Sequence, residues 1–232
     1  MNEIFEFETY LSISRIKFGI YLFDTKNRNN LYSKEITLKK TDFINYSHLK
    51  QFLNDNVFRI EKLIGKFVEN IFIIIDDENI LNVQIGIKQK NYQPSKSKVY
   101  LQSSITSAKD LFKENYPDEK LMHIIINNYL IDGKNYRYLQ DNLEYEQLNL
   151  VIQFKSISNE IVNNLNKLLQ NYQINITKFL DGNYVKNFFN KDIEISKMAF
   201  DILNGCNENE VVVVQKNTKK LGFFEKFFQL FN

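Results

Sequence analysis

Residues 122–133 read MHIIINNYLIDG, an apolar run that ends in the dipeptide Asp132-Gly133. An isoleucine-rich run of this length predicts a β-strand, and Asp-Gly is a strong signal for a hairpin turn. Residues 148–180 then read LNLVIQFKSISNEIVNNLNKLLQNYQINITKFL, which predicts a strand, an amphipathic helix that begins at Asn159-Glu160, and a second strand. Strands that alternate with helices in this way predict an α/β or α+β fold.

The same alternation extends over the rest of the chain. The predicted strands cover residues 15–23, 71–75, 83–87, 121–130, 148–155 and 174–180. Helical periodicity predicts helices at residues 46–69, 104–115, 159–172 and 193–204. Residues 88–97, KQKNYQPSKS, are predicted to form an exposed loop or hairpin tip.

Composition and charge narrow the class of protein. The 232 residues are 44% hydrophobic and 25% charged, which is ordinary for a folded chain of one or two domains. The net charge of +2 is too small to indicate nucleic-acid binding. Residues 1–12 show no basic region followed by an apolar one, and the apolar run at residues 70–75 is far shorter than the roughly 20 residues of a spanning helix. We therefore expect a cytosolic protein with no membrane-spanning segment.

Residue types that carry chemistry are scarce. Cys206 is the only cysteine, which excludes an intrachain disulfide and a cysteine-based metal cluster. The two histidines, His48 and His123, have no neighbouring acidic or cysteine residues at metal-ligand spacing, and His123 is expected to be structural. Asp76-Asp77-Glu78 is interpreted as a polar turn. No nucleophile elbow is present, so we expect no catalytic residue and no metal ligand.

Residues 221–232, LGFFEKFFQLFN, contain five phenylalanines. On a helical wheel these rings fall on one side, and Gly222, Glu225, Lys226 and Gln229 fall on the other. Such a segment next to lysines is typical of a helix that lies in the interface of an anionic membrane. The predicted membrane-binding residues are Lys219, Lys220, Leu221, Phe223, Phe224, Lys226, Phe227, Phe228, Leu230 and Phe231. The alternative is a helix docked on the chain's own core.

Two blocks of the sequence together resemble the bacterial cell-division protein family FtsA, whose members are actin-like membrane tethers. The first block is MHIIINNYLIDG at residues 122–133 with the strand, helix and strand that follow. The second is the lysine-bearing linker and Phe-rich segment at residues 205–232. Upstream, Ser14-Arg15-Ile16-Lys17 is similar to the end of the family's first phosphate loop.

The resemblance implies the architecture of the whole chain. It implies one lobe of an actin-like, ribonuclease-H-like fold, discontinuous over residues 1–70 and 156–204. It also implies an inserted small SHS2-type subdomain, often called 1C, at residues 71–155. A flexible linker at residues 205–220 and an amphipathic membrane-targeting helix at residues 221–232 would complete the chain.

Departures from the family pattern fall on the nucleotide site. Tyr10, Leu11 and Ser12 stand where the family has Asp-Ile-Gly, so Tyr10, Leu11, Ser12, Ser14 and Arg15 would form a degenerate phosphate loop. The carboxylate that organises a metal and the glycine that lets backbone amides approach phosphate are both replaced. The chain also has no Gly-Gly pair, and it passes from residue 183 almost directly to its last helix without a second lobe. We expect that ATP binding is lost and that no cofactor is held.

The sequence therefore predicts a non-catalytic cell-division adaptor on the cytoplasmic face of the inner membrane, at the division site. Its expected partners are membrane lipid and late division proteins, which would bind the inserted subdomain through residues 104–115 and 88–97. Self-association is a further expectation, nucleic acid is not an expected partner, and binding of the division protein FtsZ is left open. The alternatives are a pilus or secretion assembly platform of the PilM type and a nucleotide-binding actin-like ATPase.

Overall fold

Two units make up the computed structural model, which describes residues 6–39, 41–90, 92, 97–138, 145–189 and 193–211. The first unit comprises Met1–Val83, Leu111–His123 and Phe154–Cys206, and the second comprises Gln84–Asp110, Ile124–Gln153 and Asn207–Asn232. The strands are β1 (Phe7–Ser14), β2 (Lys17–Asp24), β3 (Asn29–Thr37), β4 (Asn70–Asp76), β5 (Leu81–Lys90), β6 (Glu119–Ile131), β7 (Lys134–Tyr136), β8 (Gln147–Ser158) and β9 (Asn175–Asp181). The helices are α1 (Tyr46–Ile64), α2 (Ser97–Asn115), α3 (Asn159–Gln170), α4 (Gly182–Phe189) and α5 (Ile195–Leu203).

A mixed sheet of five strands, in the order β3-β2-β1-β4-β9, forms the centre of the first unit. Strands β1, β2 and β3 pair antiparallel, whereas β1 pairs parallel with β4, and β4 pairs parallel with β9. Parallel neighbours need a crossover connection, and the segments that contain α1 and α3 provide these crossovers. The predicted α/β class is confirmed.

Helices cover both faces of this sheet because alternate strand residues are apolar on each side. Leu11 and Ile13 of β1 belong to a core cluster that also contains Leu53 of α1 and Leu165 of α3. Tyr10, one residue earlier, belongs to a second cluster with residues of α4 and α5. The period of two along β1 therefore sends successive side chains into two different helix layers.

Helix α1 is shorter than the periodicity predicts, since it ends at Ile64 and not at residue 69. Asn45 caps its beginning, where the side-chain oxygen accepts the backbone N–H of His48. Gly65 adopts φ +70° and donates its N–H to the carbonyl of Glu61 at 2.8 Å. Glycine takes this left-handed conformation without steric cost, so it ends the helix before Phe67.

The other sheet has the order β5-β8-β6-β7. Strands β6 and β7 form the predicted hairpin, with positive φ at both Asp132 and Gly133. Strand β5 continues to Lys90 and helix α2 begins at Ser97, so the segment predicted as an exposed loop or hairpin tip is followed by a helix and not by a second strand. Within the second unit, the carbonyl of Asn209 accepts the N–H of Ile126, so the last described residues pair with β6.

Candidate functional site

The parallel strands β1, β4 and β9 end at the same edge of the five-stranded sheet. In open α/β sheets this edge is the usual place for a ligand, because loops and helix starts meet there. The last residues of the three strands are Ser14, Asp76 and Asp181, and α4 begins immediately after Asp181. We name this region, including Arg15 and Asp77, the carboxyl edge.

Arg15 directly follows the end of β1. Its Nε and Nη2 atoms donate to the two carboxylate oxygens of Asp77, each at 3.1 Å, and Nη1 lies 3.5 Å from Glu78. This hydrogen bonding to Asp77 raises the pKa of the Arg15 guanidinium above its ordinary value. The Asp77 side chain is only 5% exposed, so a bidentate ion pair fills the space beside the β1 end.

Asp181 is held from several directions at the end of β9. Its carboxylate accepts a hydrogen bond from Lys155 Nζ at 2.7 Å and another from the backbone N–H of Asn183 at 2.9 Å. Its own N–H donates to Nε2 of His123 at 2.9 Å. Asp181 and His123 are each 1% exposed. His123 is thus a buried acceptor, and Lys155 neutralises the buried carboxylate.

Helix α4 packs directly on the end of β4. A Cβ atom on Gly182 would lie 3.1 Å from the carbonyl oxygen of Ile75 and 3.2 Å from Cβ of Asp76, so the absence of a side chain permits this approach. Lys186, one turn further along α4, forms an ion pair with Asp76. The helix that begins at the carboxyl edge therefore places a cation on the strand carboxylate.

Each of three aspartates at the carboxyl edge is paired with one basic side chain, in the pairs Asp77–Arg15, Asp76–Lys186 and Asp181–Lys155. A metal ion needs several unpaired oxygen ligands in one place. Among the described residues, no group of three acidic, histidine or cysteine side chains could hold a metal ion. The carboxyl edge is closed by ion pairs of the protein itself.

Of the residues predicted to form a degenerate phosphate loop, Tyr10, Leu11, Ser12 and Ser14 lie in strand β1, and Arg15 directly follows it. Tyr10, Leu11 and Ser12 pair with Phe72, Ile73 and Ile74 of β4, and Tyr10 is fully buried. The Tyr10 ring stacks on Phe72 at a centroid distance of 5.3 Å, and its hydroxyl donates to Glu8.

The turn from β1 to β2 is tight. The Ser14 hydroxyl oxygen accepts the backbone N–H groups of Lys17 at 2.9 Å and of Ile16 at 3.3 Å. On β2, a Cβ on Gly19 would collide with the Tyr21 hydroxyl, so the Tyr21 side chain lies over the glycine. In this turn the backbone N–H groups of Ile16 and Lys17 donate to Ser14, and the Tyr21 ring covers Gly19. These groups are therefore not presented to a phosphate.

Sequence reasoning found only part of this arrangement. Arg15 was singled out, but its partner Asp77 was interpreted only as part of a polar turn. Lys155, Asp181 and Lys186 were missed; the Asp181-Gly182 dipeptide after a predicted strand is the signal that points to them. The predicted membrane-binding residues at 219–231 lie outside the described residues.

A groove between strand β3 and helix α1 is a second feature of the first unit. We name it the β3–α1 groove; its cavity volume is about 370 Å³. Its lining residues are Lys34, Ile36, His48, Gln51, Phe52, Asp55, Asn56 and Arg59.

Hydrogen bonds connect the two walls of the groove, strand β3 and helix α1. The Tyr32 hydroxyl on β3 donates to Oδ1 of Asn56 on α1 at 2.5 Å, and Nδ2 of Asn56 donates to the carbonyl of Phe52 at 2.6 Å. Asn56 is only 3% exposed. This buried network sets the spacing between the edge strand and the helix.

No helix in the described part of the chain is long and apolar enough to cross a membrane. No family model matches the chain, and no curated protein matches its sequence.

The solved structures that resemble this chain include the following three. One is described as the PilM-PilN type IV pilus biogenesis complex, with a TM-score of 0.50 and 11% identity over 78% of this chain and 49% of that chain. A second is a Bacteroides thetaiotaomicron protein with an actin-like ATPase fold and unknown function, with a TM-score of 0.37, 14% identity, and 79% and 55% of the chains covered. The third is the cytoplasmic domain of EpsL, an inner-membrane component of the Vibrio cholerae type II secretion system, with a TM-score of 0.38, 8% identity, and 77% and 59% covered.

The chain spans about half the length of the first of these structures. At 11% identity the likeness concerns the fold alone. Together with the sheet order β3-β2-β1-β4-β9 and helices on both faces, it supports the expected partial actin-like lobe. Membership of the FtsA family stays a prediction.

Proposed function

We propose that this chain is a non-catalytic assembly platform of a membrane-associated protein complex, of the general kind represented by PilM. The observation that carries the proposal is the closed carboxyl edge: Arg15, Lys155 and Lys186 occupy the carboxylates that a metal-nucleotide site would need. A lobe without an open ligand edge acts through its outer surface. The fold likeness to a protein of the PilM-PilN complex agrees with this role.

Nucleotide titration tests the non-catalytic part of the proposal. Calorimetry of the intact chain with Mg-ATP is expected to detect no binding with a Kd below about 100 μM, roughly −5.5 kcal/mol. The variant Arg15→Ala serves as a second sample, because it removes the side chain that fills the β1 end. Tight binding by the unmodified chain would contradict the proposal, whereas binding only by Arg15→Ala would support the role of Arg15 in closing the site.

Photo-crosslinking in the cells that encode the chain tests the platform role. A photoreactive residue at exposed positions of the first unit is expected to trap components of a membrane assembly machine. Deletion of the gene is then expected to remove a pilus or secretion function and to leave cell division unchanged. Filamentous cells with normal secretion would favour the second candidate function instead.

That second candidate is a cell-division tether of the FtsA kind, and the observation that favours it is the sequence LGFFEKFFQLFN at residues 221–232. In this version the phenylalanines insert into the cytoplasmic face of the inner membrane and hold the chain there. Both candidates place the protein beside a membrane, but only the tether depends on this segment for attachment.

Liposome co-sedimentation separates the two candidates. Phe224→Glu with Phe228→Glu places two charges in the apolar arc and is expected to abolish binding to anionic vesicles, because burying a charge there is costly. Gly222→Glu with Gln229→Glu is the matched control, since it adds the same charge to the polar side. Equal sedimentation of both variants, or lost thermal stability of the first with unchanged sedimentation, would contradict the tether.

A further inference from the structure

We infer that the β3–α1 groove is a docking site for an extended, acidic segment of a partner protein, which adds to β3 as a sixth strand. This inference rests on the proposed platform role and names the surface and the partner chemistry that the role requires. Three properties of the groove carry it: an unpaired strand edge, a fixed cleft beside that edge, and a surplus of positive charge.

Strand β3 is the outer strand of its sheet. In the order β3-β2-β1-β4-β9 it pairs only with β2, and no strand in the described part of the chain covers its other side. Its nine residues, NNLYSKEIT, contain no proline, which is one of the residues that block pairing at a sheet edge. An open edge of this length offers backbone donors and acceptors to an incoming extended peptide.

The side chains of β3 that face α1 line the groove and determine which partner residues fit it. Tyr32 and Ile36 pack against the core that α1 covers, and Lys34 lies between them on the same face of the strand. The hydrogen bond from Tyr32 to Asn56 keeps this face at a fixed distance from α1. A docked strand therefore meets a site that is already formed and costs little reorganisation.

Charge decides which segment fits. Lys34 on β3 and Arg59 on α1 are exposed, and within the described residues neither forms an ion pair. His48 adds a third basic group at the groove, whereas Asp55 is its single acidic one. Two basic side chains without ion-pair partners, one on the edge strand and one on the helix beside it, favour a partner that carries carboxylates.

The opposite face of β3 has different electrostatics. Glu35, the next residue after Lys34, accepts a hydrogen bond from Tyr21 and forms an ion pair with Lys17 at 2.6 Å. Its positive partner is already engaged, so this face does not attract an acidic side chain. Because successive residues of a strand point to opposite faces, we expect an acidic and an apolar residue two positions apart, opposite Lys34 and Ile36.

A phage-displayed library of random 12-residue peptides, selected on the intact chain, tests the inference. Enriched peptides are expected to share this spacing of an acidic and an apolar residue. Their affinity is expected to fall at least about tenfold in Lys34→Glu with Arg59→Glu, and less in the milder Lys34→Ala. Lys50→Glu is the matched control, because Lys50 is exposed on the same helix but does not line the groove.

Hydrogen exchange locates the bound peptide. Backbone amides of β3 are expected to gain protection when a selected peptide is added. The inference is overturned by a selection that enriches no peptide, by peptides without acidic residues, by equal binding to the charge-reversed variant, or by protection elsewhere. Sedimentation that shows a dimer paired through β3 would overturn it as well. If crosslinked partners map to another surface, only this inference fails and the platform role stands.

Discussion

The carboxyl edge and the β3–α1 groove lie in the same unit, but charged side chains form ion pairs at the first and not, for Lys34 and Arg59, at the second. At the edge, the side chains of Asp77 and Asp181 are 5% and 2% exposed, and each binds a cation of the protein. In the groove, Lys34 and Arg59 face solvent with no ion-pair partner among the described residues. A buried charge needs its partner within the fold, whereas an exposed charge without an ion-pair partner is available to another protein.

Mutations in the two regions are therefore expected to have different consequences, one for stability and the other for binding. Changes at the carboxyl edge are expected to lower the free energy of unfolding, because they leave a buried charge without its partner. Changes of exposed groove residues are expected to affect binding and to leave stability nearly unchanged, as is usual for surface substitutions.

The largest effect is expected for Lys155→Met. It leaves the buried Asp181 carboxylate without its cation, and breaking a buried pair in this way costs about 3–5 kcal/mol. Urea unfolding measures the loss. Asp181→Asn retains an acceptor for Asn183, so the double variant Lys155→Met with Asp181→Asn is expected to recover part of it. Additive losses in this double-mutant cycle would mean that the two side chains are not coupled.

Asn56→Ala tests the connection that fixes the groove. It removes the acceptor of the partly buried Tyr32 hydroxyl and is expected to cost about 1–3 kcal/mol of unfolding free energy. Hydrogen exchange along β3 is expected to become faster in the same variant. Adding Tyr32→Phe removes the unpaired hydroxyl and is expected to recover part of the loss. A variant with unchanged stability would show that the network does not hold β3 to α1.

Lys186→Met is expected to have a smaller effect than Lys155→Met, although it also removes a cation from a strand-end carboxylate. Lys186 is 48% exposed and Asp76 is 28% exposed, so water screens the pair. Exposed pairs contribute about 0.2–1 kcal/mol, and salt weakens them further. Urea unfolding in low and high salt checks this. A loss as large as that of Lys155→Met would remove burial as the explanation of the difference.

The smallest effect is expected for Glu8→Gln, and it depends on pH. Burial raises the pKa of Glu8 above its ordinary value of 4.5, with the Tyr10 hydrogen bond opposing this. The folded state therefore prefers protonated Glu8, and the stability that protonation contributes is present below pH 4.5 and lost as pH rises through the folded pKa. Relative to the unmodified chain, Glu8→Gln should thus be more stable at pH 7 than at pH 4.

Thermal melts at the two pH values test this expectation. Glu6→Gln is the control, because Glu6 is exposed two residues earlier. A stability difference for Glu8→Gln that does not change with pH would mean that the Glu8 carboxyl group titrates alike in the folded and unfolded states.

The local sequence pattern was enough to predict the central elements of the fold. The isoleucine-rich run at residues 71–75 and the helix that starts at residue 159 were predicted from periodicity, and the structure has both as β4 and α3. The Asp132-Gly133 turn followed from the left-handed conformation that this dipeptide adopts readily. These features depend on interactions within a few residues, so the sequence alone specifies them.

Strands β1 and β3 were not predicted as strands. The pattern of β1, FETYLSIS, mixes polar and apolar residues, so it shows neither a continuous apolar run nor a strict alternation. The β3 sequence NNLYSKEIT is polar because one side of an outer strand faces water. β3 pairs with β2, and β1 pairs with both β2 and β4, so the strand conformation of both segments depends on contacts between strands and not on their own pattern.

The sequence by itself determined the α/β class and the scarcity of chemistry-bearing residues, whereas the replacement of a phosphate loop by Tyr10, Leu11 and Ser12 stays a prediction. Only the tertiary structure decided which charges meet. Arg15 and Asp77 are 62 residues apart in the chain, and Lys155 and Asp181 are 26 apart. Charge pairing depends on distances of a few ångströms, and these distances exist only after the strands have been aligned in the sheet.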